Sequence, residues 1–381
     1  MWWRPERFGA WVRFDDGSIV GVDHELRGRL GLDPEQHPAE VTLPLEAHVA
    51  VTQRCDAGCA SCYQGATPTG AEPPLEKLRA TLRSVAALRV STVAFGGGEP
   101  TMRSDLGEVA RTARDLGLVP VTTTNGRRID ASRARELRAF AQINVSHDGV
   151  AGAYGRIRGH DGAIAAERAI SELSAAGIHV GVNVVLAADA LEQVEATVDR
   201  VMRLGAEEVQ LLRFKPSGRA AQNYGGNALG PGRSSELFSL VRRLSGIPGL
   251  SVRVDCALVP LLSEGLATMP DAAQALSRLG VFGCEAGRHL VGVAIDGSLM
   301  PCSCWGASGA DCGGWVCDPE LQSMRAWHEA LGAPCDECPV RDACRGGCQV
   351  VSRFVLGRKG PDPECPRVRM HAVADLSARA G

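Results

Sequence analysis

Two hydrophobic periods alternate along the middle of the chain. Short apolar runs at 48–53, 90–95, 119–124, 143–146, 179–186 and 208–214 read as strands. Between them, 75–88, 106–116, 132–140, 163–176 and 191–204 place apolar residues every three or four positions, the spacing of amphipathic helices. A further such stretch, 235–244, follows the last strand. Six strand–helix units in series, with right-handed crossovers, predict an α/β fold in which a parallel sheet curls into a partial (β/α)6, TIM-like barrel. An open doubly wound sheet is the alternative. No G-x-G-x-x-G follows the first strand, which argues against a dinucleotide-binding fold.

Outside this region the pattern changes. Residues 8–14 and 18–22 flank Asp15-Asp16-Gly17, which predicts a β-hairpin around an Asp-Gly turn. Beyond residue 250 the periodicity fades while Cys, Gly and Pro become frequent, as in a chain organised by metal ligands rather than by a large core. The 381 residues therefore divide into an N-terminal hairpin segment (1–45), the barrel (46–250) and a small Cys-rich domain (251–381).

Composition adds little until the cysteines are counted. A net charge of -3 gives no electrostatic reason to expect nucleic acid or an anionic membrane surface. No apolar run approaches the length of a membrane span, and the Met1–Arg7 start lacks the apolar stretch of a secretory signal. A cytoplasmic protein is expected. In a reducing cytosol 14 cysteines argue for metal or redox chemistry rather than disulfides. Three of them fall within Cys55–Cys62, residues 63–255 hold none, and the rest follow from Cys256 onward. Two separate metal-bearing regions account for that gap; a disulfide framework does not.

Polar and unusual residues gather where the predicted strands end, the face on which parallel α/β architectures build active sites. Cys55 follows the first strand, Gly96-Gly97-Gly98-Glu99 the second and Thr122–Gly126 the third. Ser146-His147-Asp148-Gly149 ends the fourth, Asn183 lies within the fifth and Arg213 near the end of the sixth. Cys55, Cys59 and Cys62 form Cys-x3-Cys-x2-Cys. A structural zinc site closes its shell with four ligands, and no fourth Cys or His lies nearby in sequence. Three thiolates on a short loop suit an iron–sulfur cubane with one iron left for a substrate or cofactor.

This spacing, directly after the first strand of a β/α series, resembles that of the radical S-adenosylmethionine (SAM) superfamily. Gly97-Gly98-Glu99 resembles that family's GGE segment, which holds the methionyl amino group of SAM. By the same resemblance Ser146 is the ribose-contacting residue. Thr124 and Asn125 match a TTNG turn, and Pro216-Ser217-Gly218-Arg219-Ala220 matches a P-x-G-R-A turn. The position before the third Cys, often aromatic in the family, is Ser61 here, so Tyr63 is the candidate adenine contact.

The tail reads Cys284-x12-Gly297-x4-Cys302, then Cys335-x2-Cys338-x5-Cys344-x3-Cys348, then Cys365, and resembles the SPASM extension of radical SAM enzymes. Paired zinc knuckles are the plain alternative for Cys-x2-Cys. The resemblance implies a distal auxiliary cluster on Cys335, Cys338, Cys344 and Cys365, and a proximal one on Cys284, Cys302 and Cys348. The fourth proximal ligand is open among Cys256, Cys304, Cys312, Cys317 and the substrate.

The implied reaction is hydrogen abstraction by a 5′-deoxyadenosyl radical, then oxidation assisted by two auxiliary clusters, 4Fe–4S in kind. The expected substrate is a ribosomally made precursor peptide, cross-linked or otherwise oxidised. The hairpin could engage its leader by edge pairing, and a flavodoxin- or ferredoxin-type protein would donate electrons. Formylglycine formation as in sulfatase maturases is an alternative, although Ser303 stands where those enzymes carry an Asp base. Oxidation of a small alcohol or sugar is another. A non-catalytic metal-binding scaffold is the reading from a different class.

Overall fold

The computed structural model describes residues 2–380 except 7, 15–18, 34–42, 151, 189, 270, 272–273, 275–282 and 307–308. Its N-terminal unit is a three-stranded antiparallel sheet of β1 (Trp2–Glu6), β2 (Gly9–Arg13) and β3 (Ile19–Asp23). The expected hairpin is β2–β3, registered with Val12 opposite Val20; its turn lies outside the described residues. β1 escapes the hydrophobic pattern because it carries Arg4 and Glu6. Arg4 is buried and Glu6 mostly so, and an ion pair of 2.7 Å joins them.

The six expected strands are β4 (Glu46–Thr52), β5 (Thr92–Gly97), β6 (Val119–Thr124), β7 (Gln142–Ser146), β8 (His179–Leu186) and β9 (Glu208–Arg213). Each pairs in parallel with the next. Alternation fixes which way the side chains point. Ala47, Val49 and Val51 on β4 and Val93 and Phe95 on β5 are at most 1% exposed and face the helices. The other face, lined by Glu46, His48, Asn144, Ser146, Asn183 and Gln210, is the lumen.

Helices cover the outer face: Leu75–Ala87, Leu106–Asp115, Ala131–Glu136, Ala163–Ala175, Val194–Arg203 and Ser234–Ser245. Leu78, Leu82 and Val85 on the first illustrate the buried stripe, each contributing roughly 1.5–3 kcal/mol by leaving water. The third helix stops short of its expected end. Leu137 and Phe140 lie in the turn beyond it yet are both buried, which carries the apolar period past the helix.

The sheet is wider than the sequence pattern indicates. β10 (Ser251–Val254) extends it beside β9, and β11 (Leu290–Val293) pairs in parallel with β4 on the opposite edge, followed by antiparallel β12 (Leu299–Met300). The order is β10-β9-β8-β7-β6-β5-β4-β11-β12. The Cys-rich region thus begins as part of the barrel wall, beside the strand that leads into the first cysteine loop. No helix among the described residues is long and apolar enough to cross a membrane.

Candidate active site and cysteine clusters

The loop after β4 is held by backbone contacts before any cofactor is considered. The Gly98 N–H donates to Thr52 O at 2.7 Å and the Glu99 N–H to Arg54 O at 2.8 Å. A Cβ on Gly97 (φ +102°) would sit 2.2 Å from Thr52 O, and one on Gly98 2.1 Å from Arg54 O, so this close approach needs glycine at both. A Cβ on Gly96 would meet nothing within 4 Å, so the strand end is uncrowded there. On the far side, Arg219 of the P-x-G-R-A turn donates from its backbone to Cys62 O and from Nε to Cys59 O, each 2.9 Å.

Glu99 is 2% exposed. Burial pushes its carboxyl above the usual range, against hydrogen bonds from Thr101, Asn125 and Thr124. The Thr124 hydroxyl donates to Oε1 at 2.7 Å and the Asn125 N–H to Oε2 at 2.7 Å. Thr124 is itself buried and its hydroxyl is committed to Glu99. Thr123, one residue earlier, is the one on the lumen side, accepting from Asn183 Nδ2 at 3.3 Å. Ser146 ends β7 opposite Asn183 on β8. The Tyr63 hydroxyl lies near Gln64, Cys304 and Lys215, towards the C-terminal cysteines.

Cys55, Cys59 and Cys62 are half-buried free thiols. Burial pushes the Cys55 thiol up, and Glu99, Cys59 and Cys62 add to the shift. Sequence reasoning missed a guanidinium and an imidazole beside Cys59. Arg158 Nη1 lies 3.7 Å from its Sγ and His160 Nε2 lies 3.3 Å from it. Arg158 is fixed by buried Asp148 at 2.6 Å, and Asp148 also accepts from the Val185 N–H at 2.9 Å. Positive charge there suits thiolates that carry negative charge into a metal cluster.

The C-terminal cysteines separate into groups. Cys335, Cys338, Cys344 and Cys365 line one small cavity of about 20 Å³ with Ser263 and Arg341. Burial, with Cys365 and Cys338 nearby, pushes the Cys335 thiol up to about 12. Cys284, Cys302 and Cys348 lie in a second cluster, where burial and their mutual proximity raise Cys302 well above its ordinary value. Gly346 and Gly347, both at positive φ, reverse the chain between Cys344 and Cys348, so those two neighbours face different cavities.

Cys256 and Cys304 join the second group: both lie within electrostatic reach of Cys348 and Lys215, and Cys256 also of Cys284. Cys312 packs instead in the main core, and Cys317 is exposed. Lys215, unremarkable in sequence, is paired with Asp255 at 2.7 Å and sits among these thiols. Among the described residues no three His, Cys, Asp or Glu side chains come together as a site for a single metal ion.

The two cysteine regions touch. Gln64, two residues after Cys62, donates to Ser303 O at 3.0 Å. Arg213 at the end of β9 forms a bidentate pair with Asp362, and Asp362 accepts the Cys348 N–H at 3.0 Å.

Comparison with known proteins agrees with this geometry. Residues 49–201 match the radical SAM superfamily. Fe-coproporphyrin III synthase of Methanosarcina barkeri is 34% identical over 39% of each chain. AdoMet-dependent heme synthase of Oleidesulfovibrio alaskensis is 27% identical over 83% of this chain and 85% of its own. Mycofactocin maturase MftC of Mycolicibacterium smegmatis is 27% identical over 87% of this chain and 85% of its own. The crystal structure of Streptococcus suis SuiB bound to S-adenosylmethionine superposes over 96% of this chain and 98% of its own, with TM-score 0.72 and 16% identity. SuiB has also been solved with its precursor peptide SuiA, and that structure matches 86% of this chain and 76% of its own at TM-score 0.65. Residues 49–201 therefore match a radical SAM domain, and the chain continues into a Cys-rich region within a fold shared with SuiB.

Proposed function

We propose that this protein is a radical SAM oxidoreductase that modifies a ribosomally made precursor peptide, forming a cross-link or another two-electron oxidation product. The observation that carries this reading is the direct contact between the three-thiolate loop and the C-terminal cysteine region, Gln64 to Ser303 O at 3.0 Å, beside an open polar lumen. Such contact gives a substrate in the lumen access to both regions. Likeness to MftC over most of both chains, and to SuiB, which has been solved with a precursor peptide, supports the substrate class.

Cys55, Cys59 and Cys62 would hold the SAM-binding 4Fe–4S cluster. Cys335, Cys338, Cys344 and Cys365 would hold a distal auxiliary cluster. Cys284, Cys302 and Cys348, with Cys256 or Cys304, would hold a proximal one. When bound, these groups supply the radical and accept the leftover electron. The chain's own residues do the positioning: Gly96 and Glu99 offer backbone and carboxylate to the SAM amino group, while Ser146 and Asn183 face the ribose end. β3 is one edge of the N-terminal sheet among the described residues, and Val20 on it is 44% exposed, so a leader strand could add there. A flavodoxin- or ferredoxin-type donor and a cytoplasmic location complete the reading, with units at 1–45, 46–250 and 251–381.

The test is anaerobic reconstitution, dithionite reduction and incubation with SAM and a candidate peptide. 5′-Deoxyadenosine and a peptide 2 Da lighter are expected, on the assumption of a simple two-electron oxidation (about two hydrogens lost). Replacing Cys55, Cys59 and Cys62 by Ala should abolish SAM cleavage. Cleavage that survives the triple change overturns the placement of the site. Likeness to the heme synthase favours a second reading, a tetrapyrrole substrate, and turnover of an iron porphyrin with none of the peptide would select it.

A further inference from the structure

A two-electron oxidation that joins two substrate groups releases a proton as well as an electron. Hydrogen transfer from a substrate C–H bond to the 5′-deoxyadenosyl radical gives 5′-deoxyadenosine and a carbon radical. Closure onto a second group X–H forms the C–X bond, breaks X–H, and expels one electron and one proton. On the proposed function an auxiliary iron–sulfur cluster, when bound, would accept the electron; the proton needs an acceptor in the lumen.

One constellation in the barrel has the form of such an acceptor. Glu46 and His48, alternate residues of β4, both face the lumen and remain about one-third exposed, at 35% and 33%. His48 Nε2 lies 2.9 Å from Glu46 Oε1 and its Nδ1 lies 3.3 Å from Ser303 Oγ. A carboxylate accepts only, so the Nε2 atom carries the ring proton and Nδ1 is left bare to accept from the Ser303 hydroxyl. Burial would raise the Glu46 carboxyl, but the hydrogen bond from His48, with Arg253 beyond, holds it below its usual range. This is the carboxylate–imidazole–hydroxyl order that activates an O–H group elsewhere, with the ring nitrogens exchanged. Glu208, a nearby carboxylate on β9, is already engaged by Gln142 at 2.7 Å and Arg253 at 3.8 Å.

We propose that His48, oriented by Glu46 and reached through Ser303, takes the proton released as the substrate radical closes. Ser303 lies between Cys302 and Cys304, so proton and electron leave the substrate towards the same wall of the barrel. β11 supplies the juxtaposition: it pairs with β4, opposing Gly292 to His48, and β12 then leads into residue 303.

The inference rests on the peptide-oxidation reading, and its test separates the two. Reconstituted wild-type and His48→Ala proteins are given SAM, reductant and peptide, and 5′-deoxyadenosine and oxidised product are both counted. His48→Ala should keep forming 5′-deoxyadenosine while product per 5′-deoxyadenosine falls on the order of 10²-fold, the scale of general base catalysis. Added imidazole should restore part of it, and freeze-quenched samples should accumulate a substrate-radical resonance. Glu46→Gln, which keeps the ring but removes its anionic partner, should give an intermediate loss and serves if His48→Ala does not assemble. An unchanged product ratio in either variant, or a loss that imidazole does not relieve, overturns the proposal. Absence of product from wild-type protein would count against the peptide reading instead.

Discussion

Arg213 offers the sharpest test of how the barrel and the cysteine tail are joined. Its guanidinium and the Asp362 carboxylate are each 1% exposed. Nη1 donates to Asp362 at 2.6 Å and to Ala257 O at 2.8 Å, while Nη2 donates to Asp362 at 3.0 Å and to Glu364 at 2.7 Å. Arg213→Met keeps the apolar stem and leaves both carboxylates without a cation. Removing one partner of a buried pair costs about 3–5 kcal/mol. That is roughly a 10²- to 4 × 10³-fold fall in the folding constant. Asp362 retains the N–H groups of Cys348 and Glu364, at 3.0 and 3.1 Å, which favours the lower end. Anaerobic urea unfolding of the reconstituted protein measures the loss. Iron per chain should drop further than removal of the N-terminal cluster alone would explain, because Asp362 braces Cys348 and precedes Cys365. Combining Arg213→Met with Asp362→Leu and Glu364→Gln should recover much of the stability, since no buried charge is then left unpaired. A loss below about 1 kcal/mol for the single change, the level of an exposed pair, would refute the argument.

Three further outcomes follow from the geometry. His289 bridges Glu285 and Glu6 of β1; burial lowers its proton affinity, but the two carboxylates outweigh that and leave it raised. Its contribution should be complete below about pH 6.5 and fade as pH rises through the raised value, while the depressed Glu6 and Glu285 lose theirs as pH falls through their own. The protection factor of the β1 amides, corrected for the intrinsic rise of exchange with pH, should therefore be higher at pH 6 than at pH 9, and His289→Gln should flatten the difference. Gly98→Ala places a Cβ 2.1 Å from Arg54 O, so the loop must shift, and SAM-dependent 5′-deoxyadenosine formation should fall at least tenfold in a timed assay. Cys312→Ser should leave iron and sulfide content unchanged, whereas Cys256→Ser or Cys304→Ser should alter the spectrum of one auxiliary cluster; equal effects from all three would remove the assignment by proximity.

The barrel was legible because each of its strands must bury one face under helices. That requirement writes Ala47, Val49 and Val51, or Ile143 and Val145, into the chain at the strand period. The three-thiolate loop was equally local: its spacing and position after β4 needed no tertiary information. The set Cys335, Cys338, Cys344 and Cys365 was instead implied by the family resemblance rather than by spacing, since Cys348 lies between its members. β1, β10 and β11 were not legible. They are short or carry charges, and they become strands only because a sheet edge is there to pair with. The spare cysteines were ambiguous for a related reason. Nothing in the spacing distinguishes Cys256 and Cys304, brought beside Cys348, from Cys312, folded into the core.

By itself, then, the sequence determined the architecture, the radical SAM motif and the two cysteine-rich regions, all of them properties that repeat or close within a few residues of chain. The tertiary structure alone decided what surrounds those groups. Arg158 and His160 beside Cys59, Lys215 among the proximal thiols, and Ser303 against His48 each join residues that are distant in sequence. Their partners are chosen by strand order and loop reversal, and a linear pattern of hydrophobic and polar residues does not encode them.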